Sequence, residues 1–172
     1  GGKQEMLVED IVALAVLKTG PPAKLGYTRA AQFAAEGFGP DQAHWFLRLR
    51  RESGNLRAAL EFCLDDPHDA AAALDIAAPI WNFWFAGFLR EGYRYLTRAL
   101  ELATEQTPSR AYALWAASYL AMFTTDFENN AAMIAECSEI AAGLDDPRLP
   151  ARIHACRGTA TLYRCRLFHS TD

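Results

Sequence analysis

From about residue 27 onward, apolar residues recur at spacings of three and four, strict alternation is rare, and clusters of Gly, Pro and Asp mark short connections. That period belongs to helices rather than strands, and it makes the chain all-α. Gly39, Pro40, Asp41 and Gln42 predict a helix start, with proline at the first helical position and side chains able to meet free backbone N–H groups. The helix carries Trp45, Phe46 and Leu49. Asn55 is the expected cap of a second helix with Leu56, Ala59, Leu60 and Cys63 on one face. A break near Gly54 precedes it, and Asp65, Asp66 and Pro67 stop it.

From Asp69 a further helix runs toward Gly87, and Pro79 inside it predicts a kink, because proline lacks the N–H and clashes with the carbonyl four residues back. Ile80, Trp81, Phe83, Trp84, Phe85 and Phe88 are apolar almost all round the helix, which implies neighbours on more than one side. Leu89, Tyr93, Leu96, Leu100 and Ala103 form the stripe of the next helix, ended by Thr107 and Pro108. Ser109 is the expected cap of a helix bearing Leu114, Trp115, Ala117, Leu120 and Phe123. Asp126 starts a helix with Phe127, Ile134, Cys137 and Ala141 inward, which Gly143, Asp145, Asp146 and Pro147 end; Pro150 opens a last one with Ile153, Cys156, Ala160 and Tyr163.

Paired helices of this length raise the question of internal repetition. Ala78, Ser118 and Gly158 stand 40 residues apart, each near the middle of the first helix of a pair, where adjoining helices need a small residue. Residues 109–146 are the best-formed unit. Stacked pairs of this kind bury their faces against neighbours and leave a concave surface for ligands.

The 51% apolar content of the 172 residues supplies a continuous core. A net charge of −4 argues against a bulk electrostatic grip on nucleic acid. The apolar runs 11–17 and 80–89 fall short of the roughly 20 residues of a membrane span. Gly1, Gly2, Lys3, Gln4 and Glu5 do not begin a secretory signal. Four cysteines without tight pairing point to a reducing, cytoplasmic compartment.

His154, Cys156, Cys165 and His169 are zinc-type side chains, but Cys156 and Cys165 lie nine positions apart, roughly 900° around a helix and so on opposite faces. No metal site is expected. Arg48, Arg50, Arg51 and Arg57, with Glu52 nearby, and Arg90, Arg94 and Arg98, with Glu91 and Glu101, read as solvated or domain-docking faces. The aromatic run reads as core, with Trp81, Phe88, Trp115 and Tyr119 as candidates to line a groove. Neither G-x-S-x-G nor H-E-x-x-H nor G-x-x-x-x-G-K-[ST] occurs, so no catalytic or cofactor-binding residue is assigned. A triad assembled from distant residues would leave no such pattern.

Residues 39–64, GPDQAHWFLRLRRESGNLRAALEFCL, resemble the linker helices of the large LuxR-type regulators of the STAND ATPase class. The resemblance is carried by Trp45, Leu49, Glu52, Asn55, Leu56, Arg57, Ala58, Ala59 and Leu60. The next stretch resembles the same family's F-W-x-x-G-x-x-x-E-G-x-x-x-L signature, in Phe83, Trp84, Gly87, Glu91, Gly92 and Leu96. Residues 109–146 are similar to a degenerate tetratricopeptide repeat, with Asn130 where that repeat prefers alanine. Leu7, Val8, Glu9, Asp10 and Ile11 resemble the end of the winged-helix element that precedes the linker. Gly54 departs from the family's acidic residue.

The resemblance implies a TPR-like right-handed superhelix of antiparallel helix pairs, with an N-terminal segment at 1–26, linker helices at 27–66 and repeats at 67–172. It further implies a non-catalytic sensor segment of a cytoplasmic transcriptional regulator. In that family an ATPase core lies on the N-terminal side and a helix-turn-helix domain at the far C-terminus. The expected partners are those domains and an inducer or partner protein, with no cofactor in the segment, and binding acts by shifting a two-state equilibrium. The same repeats as a scaffold in a cyclase or kinase remain an alternative, and a metabolic enzyme a more distant one. Homodimerisation through residues 152–168 is left open.

Overall fold

The computed structural model describes residues 42–168 apart from Glu52. The expected helix start at Gly39, Pro40 and Asp41, the segment 1–26 and His169 lie outside the described residues, as do the side chains of Trp45, Arg48, Glu52 and Asn55. Within them are eight α-helices and no strand: α1 (Gln42–Arg51), α2 (Ser53–Asp65), α3 (Ala70–Ala77), α4 (Trp81–Gly87), α5 (Leu89–Leu102), α6 (Pro108–Phe123), α7 (Phe127–Ala141) and α8 (Arg148–Phe168). A single 3-10 turn, Pro67–Asp69, joins α2 to α3.

Several boundaries differ from those the sequence suggests. Asn55 and Gly54 lie within α2 rather than before it. At Pro79 the chain does more than kink. Ala78 still donates to the Leu74 carbonyl, but Pro79 has no N–H to continue the ladder; Trp81 and Phe83 make tighter three-residue bonds to Ala78 and Ile80, and the four-residue ladder resumes with Trp84 donating to Ile80. Helix α5 ends at Leu102, five residues before Thr107. Thr107, not Ser109, caps α6: its side chain accepts from the Arg110 N–H at 3.1 Å, and Pro108 takes the first helical position, where a missing donor costs nothing. Helix α8 begins at Arg148, two residues before Pro150.

Asp126 does cap α7. The turn before it is a Schellman arrangement, in which the Asp126 N–H returns to the Ala121 carbonyl at 3.0 Å and Thr125 takes a left-handed conformation with φ 63°.

Most helices lie against their sequence neighbours, α1 on α2, α2 on α3, α4 on α5, α5 on α6, α6 on α7 and α7 on α8, and others pack across the stack: α3 on α5 and α6, α2 on α5, α4 and α8 on α6. One cluster of buried apolar residues runs from Leu49 on α1 to Ala160 on α8, so α2 shares its core with the helices that follow. Helix α6 is the centre of the stack. Its Ala111, Ala113, Ala116, Ala117 and Ala121 are all fully buried, which lets flanking helices approach on several sides. Ser118 is fully buried too, with its hydroxyl 3.4 Å from the Cys156 sulfur of α8. Asn130 of α7 donates to the Ser118 carbonyl at 2.8 Å, so the polar residue in place of the repeat's alanine is satisfied by a bond rather than by close packing. Gly158 corrects the expectation of close approach at every small residue: it is exposed, with nothing within 4 Å of where a Cβ would stand.

Candidate functional site

Two stretches that the sequence singles out separately meet in space. Arg57 of α2 makes a two-pronged ion pair with Glu91 of α5, its Nε donating to Oε1 and its second nitrogen to Oε2 at 2.9 Å. The guanidinium also lies 5.8 Å above the ring of Phe88. Next to Glu91, Gly92 packs under Trp84, whose indole N–H donates to the Ala77 carbonyl at 2.8 Å across the Pro79 break. Leu56, next to Arg57 on α2, is buried in the core. Gly87 is exposed, and a Cβ there would be in ordinary contact with Phe46, so nothing in its surroundings demands a glycine.

The second arginine cluster is also a joint rather than a free face. Arg98 donates to Glu61 at 2.7 Å and to the Leu64 carbonyl at 3.3 Å, while Arg94 lies 3.8 Å from the same Glu61. The acid that meets it is on α2, not Glu101 on its own helix. Arg90, Arg50 and Arg51 are exposed.

Arg110 carries no motif or periodic signal in the sequence, yet it is among the most heavily used side chains in the fold. It is only 8% exposed. Its guanidinium donates to the Leu100 carbonyl at 2.7 Å and the Ala103 carbonyl at 2.6 Å, satisfying the open C-terminus of α5, and to Glu136 of α7 at 2.7 Å. A single arginine among alanines gives no periodic signal. Only its proximity to a helix end, visible once α5 is seen to stop early, explains it.

The candidate groove residues divide. Trp81, Trp115 and Tyr119 come together, with Trp81 edge-on to Trp115 at 5.2 Å and to Tyr119 at 5.0 Å. Phe88 lies apart from them, stacked on Phe83 at 4.7 Å. The trio extends in both directions. Phe85 meets Tyr119 and Phe123, and Phe123 meets Tyr163 of α8 at 5.1 Å. At the other end Tyr112 packs on Trp115, and Arg152 of α8 lies over both rings at 4.9 and 4.7 Å. The result is a continuous aromatic wall across α4, α6 and α8. Phe85 and Tyr163 are its most open rings, at 42% and 39% exposure.

The wall follows from spacing: Trp81 and Phe85 stand one turn apart on α4, and Tyr112, Trp115, Tyr119 and Phe123 line one face of α6 at intervals of three and four. The sequence shows each stripe, but not that the stripes on three helices share one side of the stack.

The thiols divide as the helical spacing requires. Cys156 is buried and Cys165 exposed on opposite sides of α8, and His154 is exposed. Burial pushes Cys137 up to about 12 and raises Cys156 as well. Among the described residues no group of His, Cys, Asp or Glu is arranged to hold a metal ion, and no helix is long and apolar enough to cross a membrane. Compared with protein-family models, with curated proteins and with solved structures, the chain matches none.

Proposed function

We propose that this chain is a non-catalytic interaction segment, a TPR-like right-handed superhelix of antiparallel helix pairs that serves a cytoplasmic STAND-type transcriptional regulator. The observation that carries the interaction reading is the aromatic wall, where Phe85 and Tyr163 are exposed and Trp81, Tyr119 and Phe123 half-buried over a buried Trp115 along one side of the stack. The resemblance of the linker and F-W-x-x-G-x-x-x-E-G stretches points to the parent. It is supported by the way their residues join, Arg57 to Glu91 and Gly92 to Trp84, as parts of one structural unit. In this reading an inducer or partner protein favours one arrangement of the stack against the ATPase core, and the equilibrium shifts by the difference in its two affinities.

The sequence that flanks this segment in its gene tests the parentage. A G-x-x-x-x-G-K-[ST] loop upstream and a helix-turn-helix downstream are expected. A cyclase or kinase domain in their place would make the chain a scaffold of another signalling protein, and flanks with no signalling domain would overturn the regulator reading.

A further inference from the structure

Charge is sorted between the helices in a way that the net value hides. Helices α4, α6 and α8, which carry the aromatic wall, contain no aspartate or glutamate, while α8 alone holds five arginines: Arg148, Arg152, Arg157, Arg164 and Arg166. The acids of the described helices sit on the others: Glu61 and Asp65 on α2, Asp75 on α3, Glu91 and Glu101 on α5, Glu128, Glu136 and Glu139 on α7. The chain is acidic overall, yet its aromatic side is free of negative charge on all three of its helices.

Within that side Arg152 occupies a particular position. Arg148 leans toward Asp146 at 3.5 Å, Arg157 donates to Ser138 at 2.9 Å, and Arg110 is committed to Glu136 and two carbonyls. The Arg152 guanidinium instead lies over the rings of Tyr112 and Trp115, and no ion pair joins it to an acid among the described residues. An arginine held over rings has little freedom left to lose, and its planar edge keeps the N–H geometry that takes a carboxylate in two parallel bonds.

We infer that this face is a docking surface for an acidic, apolar polypeptide segment. Its aspartate or glutamate would pair with Arg152, and its apolar side chains would lie along Trp81, Phe85, Tyr119, Phe123 and Tyr163. The inference deepens the interaction reading and rests on it. Its test is independent of the flanking domains, so either can fail alone. A protein segment is favoured over nucleic acid because the arginines are dispersed, three are already engaged, and the net charge of −4 opposes a phosphate backbone. Charge complementarity and ring stacking together specify the occupant.

The test is a fluorescence-anisotropy titration of the full 172-residue chain with three labelled probes. These are a twelve-residue peptide repeating Asp-Phe-Glu-Leu, the same peptide with Asn and Gln for the acids, and a single-stranded oligonucleotide of equal charge. Binding of the acidic peptide is expected, with affinity about tenfold lower for the amide peptide and for the Arg152→Gln chain, and falling as salt rises. Tyr163→Ser, a change at a partly exposed ring, is expected to weaken binding with the helical circular dichroism unchanged. Failure of the acidic peptide to bind, equal binding of the amide peptide, indifference to Arg152→Gln, or tighter binding of the oligonucleotide would each overturn the inference. Should Arg152→Gln lose helical signal, Tyr163→Ser and the amide peptide decide the matter.

Discussion

Gly92 lies so close beneath Trp84 that a Cβ at position 92 would stand 2.2 Å from the indole Cγ and 2.3 Å from the Cβ of Trp84. These are the root of a fully buried side chain rather than its flexible end, so neither atom can move aside without shifting α4. Glycine in a helix ordinarily costs about 1 kcal/mol relative to alanine. Here that cost secures the approach of α4 to α5.

Gly92→Ala should therefore destabilise the chain by about 1–3 kcal/mol in urea unfolding, although alanine is the better helix former. Trp84→Ala should cost about 3–5 kcal/mol, since the ring is 1% exposed and its N–H bond to Ala77 is lost with it. A loss below about 1 kcal/mol would place that ring outside the core. The two losses should add only in part: Trp84→Ala removes the Cγ contact but leaves the Cβ that would stand 2.3 Å from the new methyl group.

Arg110→Met should lower stability by about 2–4 kcal/mol, since it strands the Leu100 and Ala103 carbonyls at the end of α5 and leaves Glu136 without its partner. Glu136 is partly exposed and regains water, which keeps the loss below that of a fully buried pair. Arg110→Lys should rescue little, since one ammonium cannot reproduce the fork that reaches two carbonyls and a carboxylate. Recovery of most of the midpoint in urea by lysine would contradict this geometry.

Tyr93 donates to Asp126 at 2.7 Å, and the pair sets a pH window. Hydrogen bonds from Asn129 and then Tyr93 hold the Asp126 carboxyl below its ordinary range. Its contribution is therefore complete above its unfolded value of about 4 and is lost as pH falls through the lower folded value. Burial first, then Asp126, raises the Tyr93 phenol, so its contribution is complete below about 10 and is lost as pH rises toward the folded value. Tyr93→Phe should cost about 1 kcal/mol between those limits, and the difference from the unaltered chain should shrink in strong acid. A difference constant down to about pH 2 in thermal melts would refute the linkage.

Thr125 is β-branched yet sits at φ 63°, in the position of a Schellman turn that glycine usually fills. Thr125→Gly should raise stability by about 1 kcal/mol despite the greater freedom it gives the unfolded chain. A lower melting temperature would mean that the Thr125 hydroxyl, which donates to the Thr124 carbonyl at 2.6 Å, matters more than backbone strain.

Cys165 is exposed, whereas Cys63, Cys137 and Cys156 are buried. A thiol reagent at neutral pH should find one fast cysteine in the native chain and four in denaturant, with Cys165→Ser abolishing the fast phase. A second fast thiol would show that a buried part of the stack opens readily, and serine substitution at Cys63, Cys137 or Cys156 would say which.

Much of the fold is legible in local punctuation because proline and capping residues act through their immediate neighbours. Asp126 begins a helix where the pattern places it, and Pro79, read as a kink, separates two helices. Ser109 is not the cap because Thr107, two residues earlier, is the better-placed oxygen with a proline directly after it. What the pattern could not show lies between helices. Arg110 looks like any surface cation until the end of α5 is seen beside it, and Asn130 looks like a defect until the Ser118 carbonyl is found within reach. Of the groove candidates, Trp81, Trp115 and Tyr119 share one side because they stand on the facing stripes of α4 and α6. Phe88 sits in the break after α4 and turns toward Phe83 and Arg57.

The reach of Arg110 from the end of α5, through α6, to α7 bears on how the molecule yields under load. Three helices tied at one guanidinium cannot peel away singly, so residues 89–141 should unfold as one cooperative block, while α8, with exposed residues along its far side, frays first. A tug on the C-terminal end would thus reach the aromatic wall before it reached the block. The wall spans the boundary between the part that gives and the part that holds.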